Sequence, residues 1–372
     1  MKKENVISSV YIHIPFCEDI CSYCDFCKFY YNKELVDKYL DALYNEIKTN
    51  YKDDIIKTIY IGGGTPSSLS IEQIDKLLSI TNIFNKDSIE FTFECNIENI
   101  DEDKIKILSK YGVNRISIGI QTFNTNFLSF LNRKHNINEV KDKIEMIKNY
   151  IKNINIDLIY ALPNETLEDV SKDIEEYLKL DINHISTYSL IIEPNTILNN
   201  KNIDYIDDEL DYEMYKLICD KLSNNGYIHY ETSNFARNNY ESKHNLVYWN
   251  NEHYYGFGLG ASGYIDNIRY TNTRNINKYI NGEYLYEKEI LSLNEIIENE
   301  FILGFRKLSG ININKLKEKY NLDINKIDFI NKLVNDNKLI IKDNYIFINE
   351  DYIYLSNDIL IEFMGVDYEK FI

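Results

Sequence analysis

Strand-like and helix-like segments alternate from residue 8 to about residue 225, and this alternation constrains the fold more than any other feature of the sequence. One strand recurs roughly every 30–40 residues, the spacing of βα units. Because each connection is long enough to contain a helix, we expect parallel strands. The spacing fits either an open doubly wound sheet or a partial TIM-like barrel. The six strand-like segments are residues 8–14, 55–61, 89–94, 114–120, 153–160 and 183–190.

Helix signals lie between these segments. Ser70 and Gln73 form the pattern of a capping box at the start of the second helix, and Gly112 is placed to end the third. The first helix is predicted from apolar residues that recur with a period of 3.6, namely Leu35, Val36, Tyr39, Leu40, Leu43 and Ile47.

The alternation ends near residue 225, which divides the chain into three predicted parts. Residues 1–225 form the βα repeats, 226–285 are rich in aromatic residues and glycine, and 286–372 read as helices followed by a short hairpin. The order of elements in the last part predicts a small α+β domain of the winged-helix type. Since the sequence shows no basic face there and the net charge is −18, DNA binding is disfavoured, as is nucleic-acid binding in general.

Unusual residues follow several strands at one predicted edge. A cysteine-rich loop follows the first strand and Gly62–Gly64, Thr65 and Pro66 follow the second. Glu94 ends the third strand, Gln121 follows the fourth, and Asp157 alternates with apolar neighbours inside the fifth. In parallel α/β folds, ligands bind beyond the carboxyl ends of the strands, so these residues are predicted to share one site.

Cysteine usage and the absence of targeting signals indicate the compartment. The sequence contains no run of about 18 apolar residues, and its first residues lack the apolar segment of a signal peptide, so we expect a cytoplasmic protein without a transmembrane segment. Four of the six cysteines lie within residues 17–27. In a reducing compartment such a group is more typical of a metal or redox centre than of disulfides.

The spacing of these cysteines favours an iron–sulfur cluster with one open iron. Cys17, Cys21 and Cys24 form C-x3-C-x2-C, which provides three thiolates for a 4Fe-4S cluster. Zinc is the main alternative, although structural zinc sites usually use paired knuckles with four ligands. Cys27 leaves a second alternative, a closed cluster with four thiolates.

The motifs together resemble the radical S-adenosylmethionine family, in the branch of the heme chaperone HemW and oxygen-independent coproporphyrinogen III oxidase. They cover nearly the whole chain: YIHIPFC-x3-C-x-YCDF, IGGGTPSSLS, GVNRISIGIQTFN, NIDLIYALP, EPNT, YETSNFA and HNLVYW. The resemblance implies a six-unit, three-quarter TIM barrel with a small C-terminal domain. It also implies that a reduced cluster transfers one electron to the sulfonium of bound S-adenosylmethionine.

The resemblance also implies roles for individual residues, none of them catalytic. Cys17, Cys21 and Cys24 would ligate the cluster. The S-adenosylmethionine pocket would be formed by Tyr11, Tyr23, Gly63, Gly64, Thr65, Glu94, Gln121, Arg133 and Asp157.

Two functions remain open, and a heme chaperone is favoured over an enzyme that decarboxylates coproporphyrinogen III in porphyrin biosynthesis. The motif of the oxidase resembles C-x3-C-x2-C-x-C, whereas this chain has Phe26 in place of the last cysteine. In addition, only sixteen residues precede Cys17. The HNLVYW segment matches a heme-binding motif, so His244 is the predicted heme ligand, with Tyr248 and Trp249 beside the macrocycle and His229 and His253 as weaker candidates. The implied partners are heme, a heme-acceptor protein and an electron donor such as flavodoxin or ferredoxin.

Overall fold

A nine-stranded, mostly parallel sheet forms the centre of the computed structural model, which describes residues 6–201 and 203–372. The strand order is β9-β1-β2-β3-β4-β5-β6-β8-β7. Strands β9 and β1 to β6 are parallel, whereas β8 is antiparallel to β6 and β7 is antiparallel to β8. The strands are β1 Ser9–Ile14, β2 Ile55–Gly63, β3 Asn85–Asn96, β4 Arg115–Gln121, β5 Asn153–Tyr160, β6 His184–Ser189, β7 Ile228–Glu231, β8 Asn234–Ala236 and β9 Tyr255–Phe257.

Helices connect the parallel strands and cover the outside of the sheet. The capping box of Ser70 and Gln73 is present at the start of α2, and Gly112, at φ +86°, follows the end of α3, so both predicted signals are confirmed. None of the helices in the described part of the chain is long and apolar enough to cross a membrane. The helices are α1 Lys33–Asn50, α2 Ile71–Ile80, α3 Glu102–Lys110, α4 Thr125–Phe130, α5 Ile137–Lys148, α6 Leu167–Lys179, α7 Asp208–Asn224, α8 Lys243–Trp249 and α9 Ile276–Ile280.

The sheet curves around a cavity. Arg115, Ser117, Gly119 and Gln121, at alternate positions of β4, line one cavity together with residues of β2, β3, β5 and β6. A flat sheet cannot direct residues of five strands into one cavity, so the predicted partial barrel is confirmed. The sheet remains open between β9 and β7.

The segment 226–285 completes the barrel rather than standing apart from it. It supplies β7 and β8 to one edge of the sheet and β9 to the other. It also forms a small antiparallel sheet of β10 Ser262–Ile265, β11 Ile268–Asn272 and β12 Leu285–Ile290. The change in composition near residue 225 therefore marks the end of the βα repeats and not the end of the sheet.

Glu46, buried on α1, fixes this segment to the barrel. Its carboxylate accepts hydrogen bonds from the backbone N–H of Gly258 at 2.9 Å, from Nδ2 of Asn272 at 2.6 Å and from the hydroxyl of Tyr279 at 2.5 Å. Burial raises the pKa of Glu46 to about 7. Three donors from one segment thus converge on one carboxyl group of another.

The C-terminal domain has the winged-helix topology predicted from the order of its elements. Its sheet has the order β13-β15-β14, and its hydrophobic core is separate from that of the barrel. It contacts the edge strand of the barrel, where the backbone N–H of Thr232 donates to the carbonyl of Arg306 at 3.0 Å and that of Leu308 donates to Tyr230 at 3.1 Å. The elements are α10 Leu293–Gly304, β13 Ile311–Asn312, α11 Ile313–Tyr320, α12 Asp328–Asn335, β14 Leu339–Lys342, β15 Tyr345–Ile348 and α13 Ser356–Leu360.

Replacing Glu46 with glutamine should destabilise the protein. At pH 8 the carboxylate accepts all three hydrogen bonds, whereas an amide NH2 cannot accept, so at least one buried donor loses its partner. We expect the free energy of unfolding in urea to fall by about 1–3 kcal/mol. Glu34→Gln, at an exposed position in the first turn of the same helix, is the control and should change little. An equal loss in both variants would contradict the role of Glu46.

Candidate functional site

A loop that follows β1 brings three cysteines to the cavity. The short strands Phe16–Cys17 and Phe29–Tyr30 pair in parallel and close the base of the loop. The backbone N–H of Ser22 donates to the carbonyl of Leu131 at 3.1 Å, which holds the loop against the rim of the barrel. Cys17, Cys21 and Cys24 all line the cavity, which has a volume of about 670 Å³, and Tyr23 lies between them in its wall. The three cysteines predicted to ligate a cluster therefore face one space.

Cys27 does not face that space. Its side chain packs against Gly260, where an added Cβ would lie 3.4 Å from the Cys27 sulfur, and the carbonyl of Cys27 is hydrogen-bonded to Nε2 of His13 at 2.8 Å. The structure therefore favours three thiolates over the four of a closed cluster.

The arrangement suits a cluster rather than a single ion. Within residues 6–201 and 203–372, no three His, Cys, Asp or Glu side chains are close enough to hold one metal ion. A 4Fe-4S cluster does not need that, because each thiolate binds a different iron. Burial raises the pKa of Cys17 to about 11 and also raises that of Cys24, so positive iron would supply the charge that stabilises the thiolates.

Three consecutive glycines allow the loop after β2 to approach the cysteines and Glu94. A Cβ at Gly62 would lie 2.7 Å from the Glu94 carboxyl carbon, and one at Gly64 would lie 2.9 Å from the Cys17 sulfur. At Gly63, with φ +119°, an added Cβ would first meet the imidazole of His13. Side chains are therefore excluded here by neighbouring protein groups, whether or not a cofactor is bound.

Glu94 lies between the glycine loop and the cavity. It accepts a hydrogen bond from the Tyr60 hydroxyl at 2.7 Å and from the backbone N–H of Gly63 at 2.9 Å. Burial raises its pKa to about 7, an effect that these two hydrogen bonds reduce. A carboxyl group that ionises near neutral pH can bind an ammonium group or ribose hydroxyls.

Arg133 links the cysteine loop to the strand ends. One Nη donates to the sulfur of Cys21 at 3.5 Å and to Oδ1 of Asn96 at 3.0 Å, and the other donates to the carbonyl of Gly119. Asn96 in turn donates to the Thr65 hydroxyl at 3.3 Å, and Thr65 donates to the sulfur of Cys17 at 3.5 Å. This chain of hydrogen bonds connects two of the three cysteines.

Gln121, at the carboxyl end of β4, and Asp157, inside β5, provide acceptors in the cavity. Gln121 adopts φ +74° at a bulge in β4, and its buried Oε1 has no hydrogen-bond partner among the described residues. Asp157 accepts from Nδ2 of Asn155 at 2.8 Å, and burial raises its pKa. S-adenosylmethionine carries an ammonium, ribose hydroxyls and an adenine amine, so its donors fit these acceptors.

The predicted heme residues lie outside the cavity lining. His244 is 1% exposed, with Nδ1 at 2.8 Å from the Thr58 hydroxyl and Nε2 at 2.7 Å from the Tyr248 hydroxyl. Tyr248, Trp249, His229 and His253 also lie away from the lining. The same holds for Tyr11, which was predicted to line the S-adenosylmethionine pocket and whose hydroxyl is 2.8 Å from Nδ1 of His13. His244 does not face open space in this conformation, so ligation of heme iron would require the Tyr248 hydrogen bond to break.

Several lining residues were not predicted. Arg115 and Asn245 lie deep in the cavity, and Arg306 and Tyr354 reach it from the C-terminal domain. The signal for Arg115 was present, since it stands six residues before Gln121 on the same face of one strand. The positions of Arg306 and Tyr354 depend on contacts between the C-terminal domain and the barrel, and such contacts leave no local pattern in the sequence.

The fold and the cysteine loop define a radical S-adenosylmethionine protein. The profile of the Radical SAM superfamily matches residues 11–177. The chain is 41% identical to the heme chaperone HemW of Lactococcus lactis, over 89% of this chain and 90% of the relative, and 41% identical to that of Bacillus subtilis, over 84% and 87%. It therefore belongs to the HemW family. Coproporphyrinogen III oxidase (HemN) from Escherichia coli has the same fold, with a TM-score of 0.86, 21% identity and coverage of 97% of this chain and 91% of that one.

Cys27→Ala should retain a cluster of about four irons and four sulfides per chain after anaerobic reconstitution, because Cys27 faces Gly260. The triple alanine variant of Cys17, Cys21 and Cys24 should lose it. Iron and sulfide analysis and the visible absorption spectrum measure both outcomes. Loss of the cluster in Cys27→Ala would indicate a closed site with four thiolates.

The effect of S-adenosylmethionine should depend on pH through Glu94. Since the pKa of Glu94 is raised to about 7, its carboxylate form increases as the pH rises from 6 to 8. At a subsaturating concentration, S-adenosylmethionine should therefore change the EPR spectrum of the reduced cluster more at pH 8 than at pH 6. Glu94→Gln should weaken the response and remove its pH dependence, whereas Glu34→Gln should match the wild type. A wild-type response equal at both pH values would contradict this role.

Proposed function

We propose that this protein binds heme and transfers it to an acceptor protein, and that it also holds a 4Fe-4S cluster and S-adenosylmethionine at the rim of the barrel. The relatives that match most of the chain are named heme chaperones. The proposal further includes an electron donor such as flavodoxin or ferredoxin for the cluster.

The proposal rests on the half of the cavity that lies toward the C-terminal domain. Beyond the cysteine loop, the cavity continues between the barrel and the C-terminal domain. Apolar and aromatic side chains line this half, namely Tyr160, Tyr188, Leu190, Ile191, Tyr215, Ile353 and Tyr354. A wall of this kind suits a flat apolar macrocycle next to the space for S-adenosylmethionine.

Residues at the rim would hold the two cofactors in defined positions. Cys17, Cys21 and Cys24 would bind the cluster, which, when reduced, supplies one electron to the sulfonium. Arg133 stabilises negative charge beside Cys21 through its hydrogen bond to the sulfur. Cys17 and Arg133 are buried, whereas Cys21 and Cys24 are partly exposed at the cavity.

The glycine loop and the hydrogen-bond acceptors beside it would bind S-adenosylmethionine. Gly63, Gly64 and Thr65 line the cavity, and Glu94 and Asp157 are the carboxyl groups of the strands that face it. Tyr60 and the N–H of Gly63 orient Glu94 before any ligand arrives, so little reorganisation is needed on binding.

His244 is the proposed heme ligand, and its hydrogen bonds indicate which nitrogen would bind iron. Thr58 donates its hydroxyl proton to Ser9, so it accepts from Nδ1–H of His244. The pKa of His244 is lowered to about 3 by burial, and the ring is therefore neutral. Nε2 then carries the lone pair that accepts the Tyr248 hydroxyl proton, and release of Tyr248 would free this lone pair for iron.

Asn245, the next residue of α8, lines the cavity. Because adjacent residues of a helix point about 100° apart, α8 would have to turn about its axis for the His244 imidazole to reach the same space.

Anaerobically reconstituted protein should bind heme, transfer it to an apo acceptor, and fail to convert coproporphyrinogen III in the presence of S-adenosylmethionine and a reductant. The readouts are the Soret band, acceptor loading and product analysis. Conversion of coproporphyrinogen III by the wild type would replace the chaperone with the oxidase, the second candidate. Absence of heme binding would also overturn the proposal.

Two substitutions test the heme ligand. His244→Ala should weaken heme binding and shift the Soret band with the cluster intact, because it removes the proposed iron ligand. Tyr248→Phe should bind heme at least as tightly as the wild type, since it removes the hydroxyl that occupies Nε2. If His244→Ala binds heme with an unchanged spectrum, or if Tyr248→Phe weakens binding as much as His244→Ala, then His244 is not the ligand.

A further inference from the structure

Arg115, at the start of β4, is a buried cation that faces the cavity. The residue is 2% exposed, and it forms no side-chain hydrogen bond or ion pair with any residue that the structure describes. Its Nε is buried and unpaired, and the side chain lines the cavity. An unpaired buried charge is costly, so a guanidinium that faces a cavity is expected to have a partner when the cavity is filled.

The polar residues near Arg115 are already paired with one another. Asn155 donates to the Ser117 hydroxyl and to Asp157, both at 2.8 Å. Its Oδ1 accepts from the Ser186 hydroxyl at 3.1 Å and is 2.6 Å from Nδ1 of His184. This network is complete without Arg115, which therefore has no structural bridging role within it.

Glu94 and Asp157, two of the carboxyl groups that line the cavity, form no direct ion pair with Arg115. The nitrogens of Arg115 form no ion pair within 4.0 Å with Glu94, Asp157 or any other described carboxylate. Burial raises the pKa of both Glu94 and Asp157, and the positive charge of Arg115 reduces this effect in each.

We infer that Arg115 binds a carboxylate side chain of the tetrapyrrole that enters the cavity. This inference rests on the proposed function and adds a recognition site to it. Heme and coproporphyrinogen III both carry propionates, and a guanidinium binds a carboxylate through two parallel hydrogen bonds. Asn245 lines the same cavity and would lie beside the bound ligand.

The carboxylate of S-adenosylmethionine has a different cation available. Arg133 is hydrogen-bonded to Cys21 in the cysteine loop, whereas the Cα of Arg115 is about 20 Å along β4 from Gln121 at the rim. Arg115 also contributes to the lowered pKa of His244, which places its charge near the proposed iron ligand. The geometry thus assigns the two arginines to two ligands.

Heme and heme dimethyl ester distinguish the contribution of the propionates. The wild type should bind heme about 10- to 100-fold more tightly than the ester in anaerobic Soret titrations. Arg115→Met should lose this preference, and Arg115→Lys should retain part of it. Arg237→Met removes an arginine outside the cavity lining that pairs with Asp181, and it should keep the wild-type preference.

Two further measurements separate recognition from a structural role. Ligand-free Arg115→Met should have a thermal midpoint no lower than the wild type, because the substitution removes an unpaired buried charge. Its cluster should still respond to S-adenosylmethionine in EPR.

The inference is overturned if the wild type binds heme and its ester equally, if Arg115→Met keeps the preference, if it is clearly less stable than the wild type, or if it loses the response to S-adenosylmethionine. Absence of any heme binding by the wild type instead overturns the proposed function and, with it, the ligand assigned to Arg115.

Discussion

The parallel alignment of β1 to β6 is the constraint on which the site depends. Since all six strands run in one direction, their carboxyl ends meet at one rim, and the loops that follow β1 and β2 become neighbours although about 40 residues separate them. The hydrogen bond from the backbone N–H of Thr65 to the carbonyl of Phe16 at 2.7 Å and the absence of a Cβ at Gly64 then allow these loops to lie in contact. Strand direction thus determines which distant residues can meet.

Local patterns were sufficient to predict the strands, two helix boundaries and several residues that line the cavity. The βα spacing placed the strands close to their observed bounds, and Glu94 and Gln121 near strand ends and Asp157 inside β5 line one cavity, as expected. Long-range contacts had no such signal. The sequence did not reveal that Glu46 holds residues 226–285 against α1, or that Arg306 would reach the cavity.

His244 shows the limit of motif reading. The HNLVYW segment lies in α8. The first two backbone N–H groups of this helix, at Lys243 and His244, donate to the Glu90 carboxylate. These hydrogen bonds hold the first residues of α8 against Glu90 of β3, and His244 is therefore buried. A motif indicates which residues belong together, but the capping contact decides which of them face the cavity.

The separate core of the C-terminal domain has a consequence for entry of a wide ligand. The outer wall of the cavity includes Ile353 and Tyr354, which belong to this domain, while the opposite wall belongs to the barrel. Backbone hydrogen bonds of Thr232 and Leu308 join the two parts at the barrel edge. Separation of the two parts would break surface contacts but leave both hydrophobic cores intact. A rigid disc wider than the rim could then enter or leave without unfolding of the barrel.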